Sequence, residues 1–160
     1  MQHSTHQRLM SLLESAEVDH RVITHRPEGR TDLASDARGH ALSSAAKCMV
    51  LTVRDRRRGE RIVLAVVPGD RKVDYRKVKG LYDATDVALA DRAVAEDATG
   101  CVSGCVIPFS LDGGYGVLLD RALLSCREVY FNAARLDVSV ALRPKDLLDL
   151  AMPLVHVISR

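Results

Sequence analysis

Aromatic residues are scarce in this sequence. It contains two Phe, four Tyr and no Trp among 160 residues. A base-stacking platform for single-stranded nucleic acid needs several aromatic faces, so the scarcity argues against that class of protein. Nearly half of the residues (47%) are nonetheless hydrophobic, and Val, Leu, Ile and Ala must form the core. The length suits one compact domain over residues 1–160.

Long hydrophobic runs are also missing. No stretch approaches the roughly 18 consecutive apolar residues that a transmembrane helix requires. The polar N-terminus lacks the apolar centre of a secretory signal peptide. We therefore expect a cytoplasmic protein with no membrane partner.

The four cysteines do not follow a metal-binding pattern. Cys101 and Cys105 are four residues apart, and no second Cys or His pair lies at zinc-site spacing. Cys48 and Cys126 stand alone, and none of the four has an activating His nearby in the sequence. We expect free thiols in a reducing compartment, no metal and no cofactor, and we assign no nucleophilic triad.

The net charge is close to zero. The chain has 23 Lys and Arg against 21 Asp and Glu, so the total charge does not indicate a polyanionic partner. The distribution is more informative, because Arg56, Arg57 and Arg58 are consecutive. They either contact phosphates or form a solvated turn, and composition alone favours the solvated turn.

Hydrophobic periodicity predicts an α/β (α+β) fold. Thr5–Ala16 has helical spacing with Thr5 as its N-cap, and Pro144 starts a helix that runs to about Ala151. The β-branched segments 45–53 and 61–67 form a hairpin with a charged tip. Strands outnumber helices, and most connections are too short for parallel crossovers. We expect a mixed, largely antiparallel sheet or a partly closed barrel, with helices packed outside.

Two features could carry chemistry. Lys47 enters an apolar strand, where its ammonium either reaches water along an apolar stem or points into a pocket that binds phosphate or carboxylate. Gly100–Pro108 contains two glycines and a proline, so its backbone can expose successive amides to an oxyanion. Taken alone, each pattern is also compatible with an ordinary structural role.

Several segments in consistent order resemble one family. The segments are 45–51 around Lys47, Val63–Asp70 ending in Val-Pro-Gly-Asp, 99–109 with Gly104 and Pro108, and Phe131-Asn132-Ala133. Together they are similar to the YbaK and prolyl-tRNA synthetase-associated editing domain, in its free-standing, YeaK-like branch. The resemblance extends from about residue 5 to residue 151.

This resemblance implies a function in translation quality control. Members hydrolyse the ester between a wrong amino acid and the terminal adenosine of tRNA, without metal or cofactor. Lys47 would hold the terminal nucleotide, and the loop from Gly104 to Pro108 would hold the aminoacyl carbonyl and orient water. The remaining implied contacts are with the amino acid, through Cys105, Val106, Ile107, Asn132 and Ala134, and with tRNA, through Arg56, Arg57 and Arg58. The implied partners are aminoacylated tRNA and, as a further candidate, an aminoacyl-tRNA synthetase.

One residue departs from the family pattern. Many members have Gly where this chain has Ala134, and the extra methyl could narrow the amino-acid pocket. The resemblance favours seryl-tRNA as substrate, with threonyl or alanyl also compatible. The alternatives are a non-catalytic module of the same fold that binds aminoacyl-tRNA or a synthetase, and an enzyme acting on another small ester.

Overall fold

The computed structural model describes residues 3–160, so Met1 and Gln2 of the predicted single domain lie outside it, and that domain assignment stays a prediction. The helices are α1 (Thr5–Ser15), α2 (Thr31–Arg38), α3 (Tyr75–Tyr82), α4 (Arg92–Thr99) and α5 (Pro144–Ala151), with 3₁₀ turns at Leu42–Ser44 and Arg121–Ser125. The strands are β1 (His20–Thr24), β2 (Ala46–Asp55), β3 (Gly59–Pro68), β4 (Asp86–Leu89), β5 (Gly116–Asp120), β6 (Val129–Asn132), β7 (Val138–Leu142) and β8 (Leu154–His156).

The strands form two open sheets. One has five strands in the order β4-β2-β3-β5-β8, and the other has three in the order β1-β7-β6. Four of the six strand pairings are antiparallel, which confirms the predicted largely antiparallel character. The predicted α/β class is confirmed as well; the strands are divided between two sheets, and neither sheet closes into a barrel.

Two parallel pairings correct the expectation that connections are too short for crossovers. β3 pairs with β5, and β5 pairs with β8, both in parallel. The chain between β3 and β5 contains α3, β4 and α4, and the chain between β5 and β8 contains β6, β7 and α5. Each connection contains whole helices and strands and is therefore long enough for a parallel crossover. The loops between successive elements are short, so the loop lengths alone do not reveal the crossovers.

The five-stranded sheet is buried on both faces. In β3, Leu64 and Val66 join the core that contains α1, α5, β6 and β7, whereas Val63, Ala65 and Val67 join the core beneath α3. A strand covered on both sides is expected to be a continuous apolar run, as β3 is. This arrangement places the three-stranded sheet over one face of the larger sheet.

Most helix boundaries agree with sequence signals, but one cap does not. Gly39 and Gly100 end α2 and α4 in the left-handed conformation, with φ of 79° and 68°. At α1 the predicted cap Thr5 is already helical. Ser4 is the N-cap, since its hydroxyl accepts from the Gln7 N–H and the Gln7 side chain accepts from the Ser4 N–H. A reciprocal pair of this kind satisfies two helix-terminal donors, and a cap at Thr5 would not allow it.

The first half of β2 has one free edge. β3 pairs with all of β2, but β4 pairs only with Leu51–Arg54. Within the described chain, the stretch 46–49 therefore has no strand on its second side, and only a single bridge joins the preceding Ala45 to Tyr130 of β6. The gap between the two sheets opens at this edge.

Ala134 occupies a conformation that favours glycine. Its φ is 60°, in the left-handed region. That region costs a non-glycine residue roughly 1–2 kcal/mol, and replacing Ala by Gly costs about 0.4–1 kcal/mol in unfolded-chain entropy. We expect Ala134→Gly to raise the free energy of unfolding by about 0.5 kcal/mol and Tm by about 1–2 °C. Denaturant and thermal unfolding would measure both.

The matched control is Ala133→Gly at the neighbouring residue. Ala133 is fully buried and does not have positive φ, so glycine should lower stability there by about 1 kcal/mol. Equal losses at both positions would contradict the assignment of strain to Ala134.

Candidate active site

A cavity of about 200 Å³ lies where the free edge of β2 meets α2, β6 and the loop after α4. Its walls combine small apolar side chains with a few polar ones. The lining residues are Gly29, Thr31, Ala34, Arg38, Ala45, Ala46, Lys47, Cys48, Met49, Gly104, Val106, Tyr130, Phe131 and Asn132. The cavity is smaller than the roughly 300–1,000 Å³ of drug-sized pockets, so it suits a small chemical group.

Lys47 is one of the residues that line this cavity. The side chain is partly buried, and its Nζ donates to the main-chain oxygen of Arg71. The pKa of Lys47 lies below the usual value for a lysine, mainly because burial disfavours the charged form. The nearby Asp70 raises this pKa, and Lys72 lowers it. The polar partner outside the strand explains why a lysine is tolerated at the start of an apolar strand.

The cavity favours an anion. Two of its lining residues, Lys47 and Arg38, carry positive charge, and none of the lining residues is Asp or Glu. An anionic ligand group would therefore meet two positively charged residues and no carboxylate in the lining, while Asp70, which raises the pKa of Lys47, lies outside the lining.

The loop after α4 divides its residues between the cavity and the core. Gly104 is exposed and Val106 is partly buried, and both line the cavity. Cys105, Ile107 and Pro108 are buried in the interior. Of the predicted site residues, the structure brings Lys47, Gly104, Val106 and Asn132 together around the cavity; Cys105, Ile107, Pro108 and Ala134 are not in its lining.

The main-chain N–H groups of this loop also alternate, between hydrogen-bonded and unbonded. The Ser103 N–H donates to Glu96 Oε2 at 2.8 Å, and the Cys105 N–H donates to the Val102 oxygen at 3.1 Å. Within residues 3–160, the N–H groups of Gly104 and Val106 donate no hydrogen bond. Two unused donors therefore belong to the two loop residues that line the cavity, as an oxyanion-binding site requires.

Gly104 allows the loop to approach the segment before α2. Gly104 has a φ of 91°, and a Cβ added there would lie 2.6 Å from Gly29 Cα and 2.8 Å from the Gly29 oxygen. No side chain at position 104 fits between these main chains. Glycine at position 104 is thus required by both conformation and space.

Asn132 joins the same two segments. Its Nδ2 donates to the main-chain oxygens of Glu28 at 2.8 Å and Gly104 at 3.0 Å. Its Oδ1 accepts from Arg38 Nη1 at 3.1 Å and from the Ser139 hydroxyl at 2.9 Å. All hydrogen-bonding capacity of the amide is used, so a buried Asn is well satisfied here.

Sequence reasoning missed Arg38. It is the last residue of α2, directly before a helix-ending glycine, and such an arginine is usually solvated. Burial lowers its pKa to about 10, so it remains charged at neutral pH. Its partners Asn132 and Ser139 are 94 and 101 residues away, and no local pattern could have shown these contacts.

The arginine cluster is remote from the cavity. Arg56, Arg57 and Arg58 are exposed at the β2–β3 turn. Lys47 is near the start of β2 and the turn follows its end, so at about 3.3 Å per residue they are separated by roughly 25 Å or more. A second, open pocket of about 650 Å³ lies beside the turn, where the Arg61 guanidinium stacks 4.6 Å from the centre of the Tyr82 ring.

All four cysteines are free, in agreement with prediction. In residues 3–160, no three His, Cys, Asp or Glu side chains are grouped as metal ligands. No helix among those residues is long and apolar enough to cross a membrane.

The fold and site define a protein with a small cavity lined by a lysine, an arginine and a loop that has two unused main-chain amides. The family model of the aminoacyl-tRNA editing domain matches residues 25–150. The Escherichia coli (strain K12) protein named multifunctional Ser/Thr-tRNA deacylase ProXp-y is 35% identical over 150 residues, which cover 93% of this chain and 89% of that protein. The chain therefore belongs to the aminoacyl-tRNA editing domain family.

Solved structures agree on the fold. The hypothetical protein APE2540 superimposes with a TM-score of 0.86 at 22% identity, covering 96% of this chain and 99% of its own. A protein described as a proposed trans-editing enzyme for prolyl-tRNA synthetase gives a TM-score of 0.83 at 21% identity, covering 100% and 99%. At these identities the likeness concerns the fold alone.

We expect Gly104→Ala to displace the loop. The added methyl would clash with the Gly29 main chain in a conformation that alanine disfavours, lowering the free energy of unfolding by about 2 kcal/mol. Deacylation should fall at least about tenfold, because the loop amides would move. Chemical denaturation and single-turnover hydrolysis would measure the two effects.

Gly114→Ala is the matched control for this variant. A Cβ at Gly114 meets nothing within 4 Å, and its φ is not positive. Its stability should change by less than about 0.5 kcal/mol. If Gly104→Ala behaved in the same way, the close approach would not constrain the site.

Proposed function

We propose that this chain deacylates mischarged tRNA that carries a small amino acid, with seryl-tRNA favoured and threonyl- or alanyl-tRNA also accepted. The observation that carries the proposal is the pairing, across one cavity of about 200 Å³, of Lys47 with two unused loop amides. A nucleotide phosphate suits the lysine, and the aminoacyl ester suits the amides.

Lys47 is proposed to bind a phosphate of the terminal nucleotide. Its ammonium is a compact charge whose position is fixed by the Arg71 oxygen, so it can hold a phosphate at a defined position. Burial strengthens such a contact, since a partly buried pair is screened less by salt than an exposed one.

The loop amides are proposed to stabilise the reaction. Water attacks the ester carbonyl carbon, and negative charge develops on the carbonyl oxygen, where the Gly104 and Val106 N–H groups can donate. The bond to the ribose oxygen then breaks, and the water proton ends on that oxygen. An aminoacyl ester is already activated, so positioning and oxyanion stabilisation suffice.

The cavity supports a small substrate side chain. Its volume of about 200 Å³ limits the size of the side chain, and its wall combines the apolar Ala34 and Ala46 with the polar Thr31. Such a lining accommodates a hydroxyl as well as a methyl group. The printed name of the E. coli relative, a Ser/Thr-tRNA deacylase, supports the same choice.

The arginines at the β2–β3 turn are proposed to contact tRNA outside the cavity. Their separation from Lys47 excludes binding to the same nucleotide, but another part of one tRNA can reach both. A synthetase is proposed as a second partner, as the resemblance of the sequence to the prolyl-tRNA synthetase-associated editing domain implies. Both partners would be met in the cytoplasm.

We expect Lys47→Met to lower kcat/KM for the preferred mischarged tRNA by roughly 10- to 150-fold. That range corresponds to about 1.5–3 kcal/mol for a charge-assisted hydrogen bond. Wild type and variant would be compared in deacylation of seryl-, threonyl- and alanyl-tRNA, with thermal unfolding as the check on folding.

Lys145→Met, at an exposed position of α5, is the control and should retain wild-type rates. Full activity of Lys47→Met would remove the lysine from the mechanism. Binding of aminoacyl-tRNA without turnover by wild type would instead identify a non-catalytic module.

We expect replacement of Arg56, Arg57 and Arg58 by Gln to weaken tRNA binding and flatten its salt dependence. Each lost phosphate contact should reduce the slope of log K against log salt by about 0.7–0.9. Filter binding between 50 and 200 mM salt would measure the slope, with exposed Arg121→Gln as a single-arginine comparison. An unchanged slope would show that the three arginines make no contact with tRNA phosphates and are simply solvated.

A further inference from the structure

Arg38 is a partly buried cation without a counterion. In residues 3–160, no carboxylate lies within 4.0 Å of its guanidinium. It donates to three neutral acceptors: Asn132 Oδ1 at 3.1 Å, Ser139 Oγ at 3.1 Å and His40 Nε2 at 2.9 Å. The carbonyl end of α2 offsets part of the desolvation, but a buried unpaired charge still opposes folding. Stability alone does not account for this residue.

The contacts of Asn132 define which way its amide faces. Its Nδ2 serves two main-chain oxygens, those of Glu28 and Gly104. A reversed amide would set its oxygen against both carbonyls and its N–H groups against the Arg38 guanidinium, which has no acceptor. The observed orientation is therefore the only one that satisfies all partners.

Among the described residues, Arg38 is the one obligate donor to Asn132 Oδ1. The other neighbour, the Ser139 hydroxyl, also lies 2.6 Å from His25 Nε2. His25 Nδ1 lies 2.8 Å from the Arg26 oxygen, so the proton belongs on Nδ1 and Nε2 is free to accept from Ser139. A hydroxyl can turn from one acceptor to the other, whereas a guanidinium can only donate.

The arginine itself is held on its other side. His40 Nδ1 lies 2.8 Å from the Ala41 oxygen, which leaves Nε2 to accept from Arg38 Nε. The His40 ring stacks on Tyr130 with centroids 3.7 Å apart and planes 10° apart. The guanidinium plane is thus fixed by a ring that is itself packed against β6.

We propose that Arg38 is a positioning residue for deacylation, which acts through the Asn132 amide to hold the Gly104 carbonyl and so to aim the Gly104 and Val106 N–H groups. This inference rests on the proposed function of those amides. Without Arg38, the Asn132 side chain loses its fixed donor and rotates, and the loop loses the anchor that connects it to the segment at Glu28.

Arg38 also lines the cavity, so direct binding of a tRNA phosphate is the competing role. The two roles differ in their kinetics. Loss of a phosphate contact raises KM and reduces the salt slope by about one contact. Loss of loop positioning lowers kcat, because the transition state depends on the amides more than the bound substrate does.

The test uses Arg38→Met, which keeps an apolar stem and removes every donor. We expect kcat for the preferred mischarged tRNA to fall by about 10²-fold, with KM within threefold and an unchanged salt slope. Arg143→Met is the matched control, since Arg143 is exposed and pairs with Asp146, and it should keep wild-type kcat. A raised KM with unchanged kcat would overturn the proposal in favour of phosphate binding.

Two further measurements separate positioning from general damage to the fold. Low-millimolar guanidinium chloride should restore part of the kcat lost in Arg38→Ala, whereas NaCl at the same ionic strength should not. Guanidinium chloride should not accelerate wild type. The double variant Arg38→Met/Asn132→Ala should be no slower than Asn132→Ala alone. No rescue together with additive losses would contradict the proposal.

A readout independent of turnover completes the design. The side-chain NH₂ resonances of Asn132, assigned by their loss in Asn132→Ala, should shift in Arg38→Met and keep their positions in Arg143→Met. Unchanged Asn132 resonances would overturn the inference even if activity fell. Wild type that released no amino acid would refute the proposed function, whereas active wild type with normal kcat in Arg38→Met would refute only the inference.

Discussion

The close approach of two main chains, at Gly29 and Gly104, is the constraint on which the site depends. It brings the loop after α4 against the segment before α2, and these parts are far apart in sequence. The Asn132 amide then joins both by donating to the Glu28 and Gly104 oxygens. Because the loop is anchored through its carbonyls, its remaining N–H groups are available to a ligand without further rearrangement.

The sheet arrangement creates the space that this loop closes. β3 is covered on both faces and β2 is paired along its whole length on one edge. β4 begins its pairing only at Leu51, so the other edge of β2 is open where Lys47 lies. The three-stranded sheet brings Asn132, at the end of β6, to the same opening. The cavity is thus a consequence of unequal strand lengths.

Two groups of positively charged residues differ in their surroundings. Lys47 and Arg38 are partly buried, are held by neutral oxygen or nitrogen atoms, and line a cavity without carboxylates. The arginines of the β2–β3 turn are exposed and roughly 25 Å or more away along the strand. A nearly neutral protein can therefore carry two separate concentrations of positive charge that its net charge does not show.

Local sequence determined the elements, since the hairpin, the glycine-ended helices and the start of α5 at Pro144 depend on backbone preferences and on period. It also marked Lys47 and the loop containing Gly104, because a charge in an apolar strand and a glycine-proline loop are visible without a fold. Tertiary structure decided the rest: the division into two sheets, the parallel pairings and the contacts of Arg38. These depend on contacts between residues tens of positions apart, which leave no local signal. Tertiary packing also decided which loop residues are in the core and which line the cavity. Cys105 and Ile107 are packed in the core, and no periodicity in the sequence predicts this.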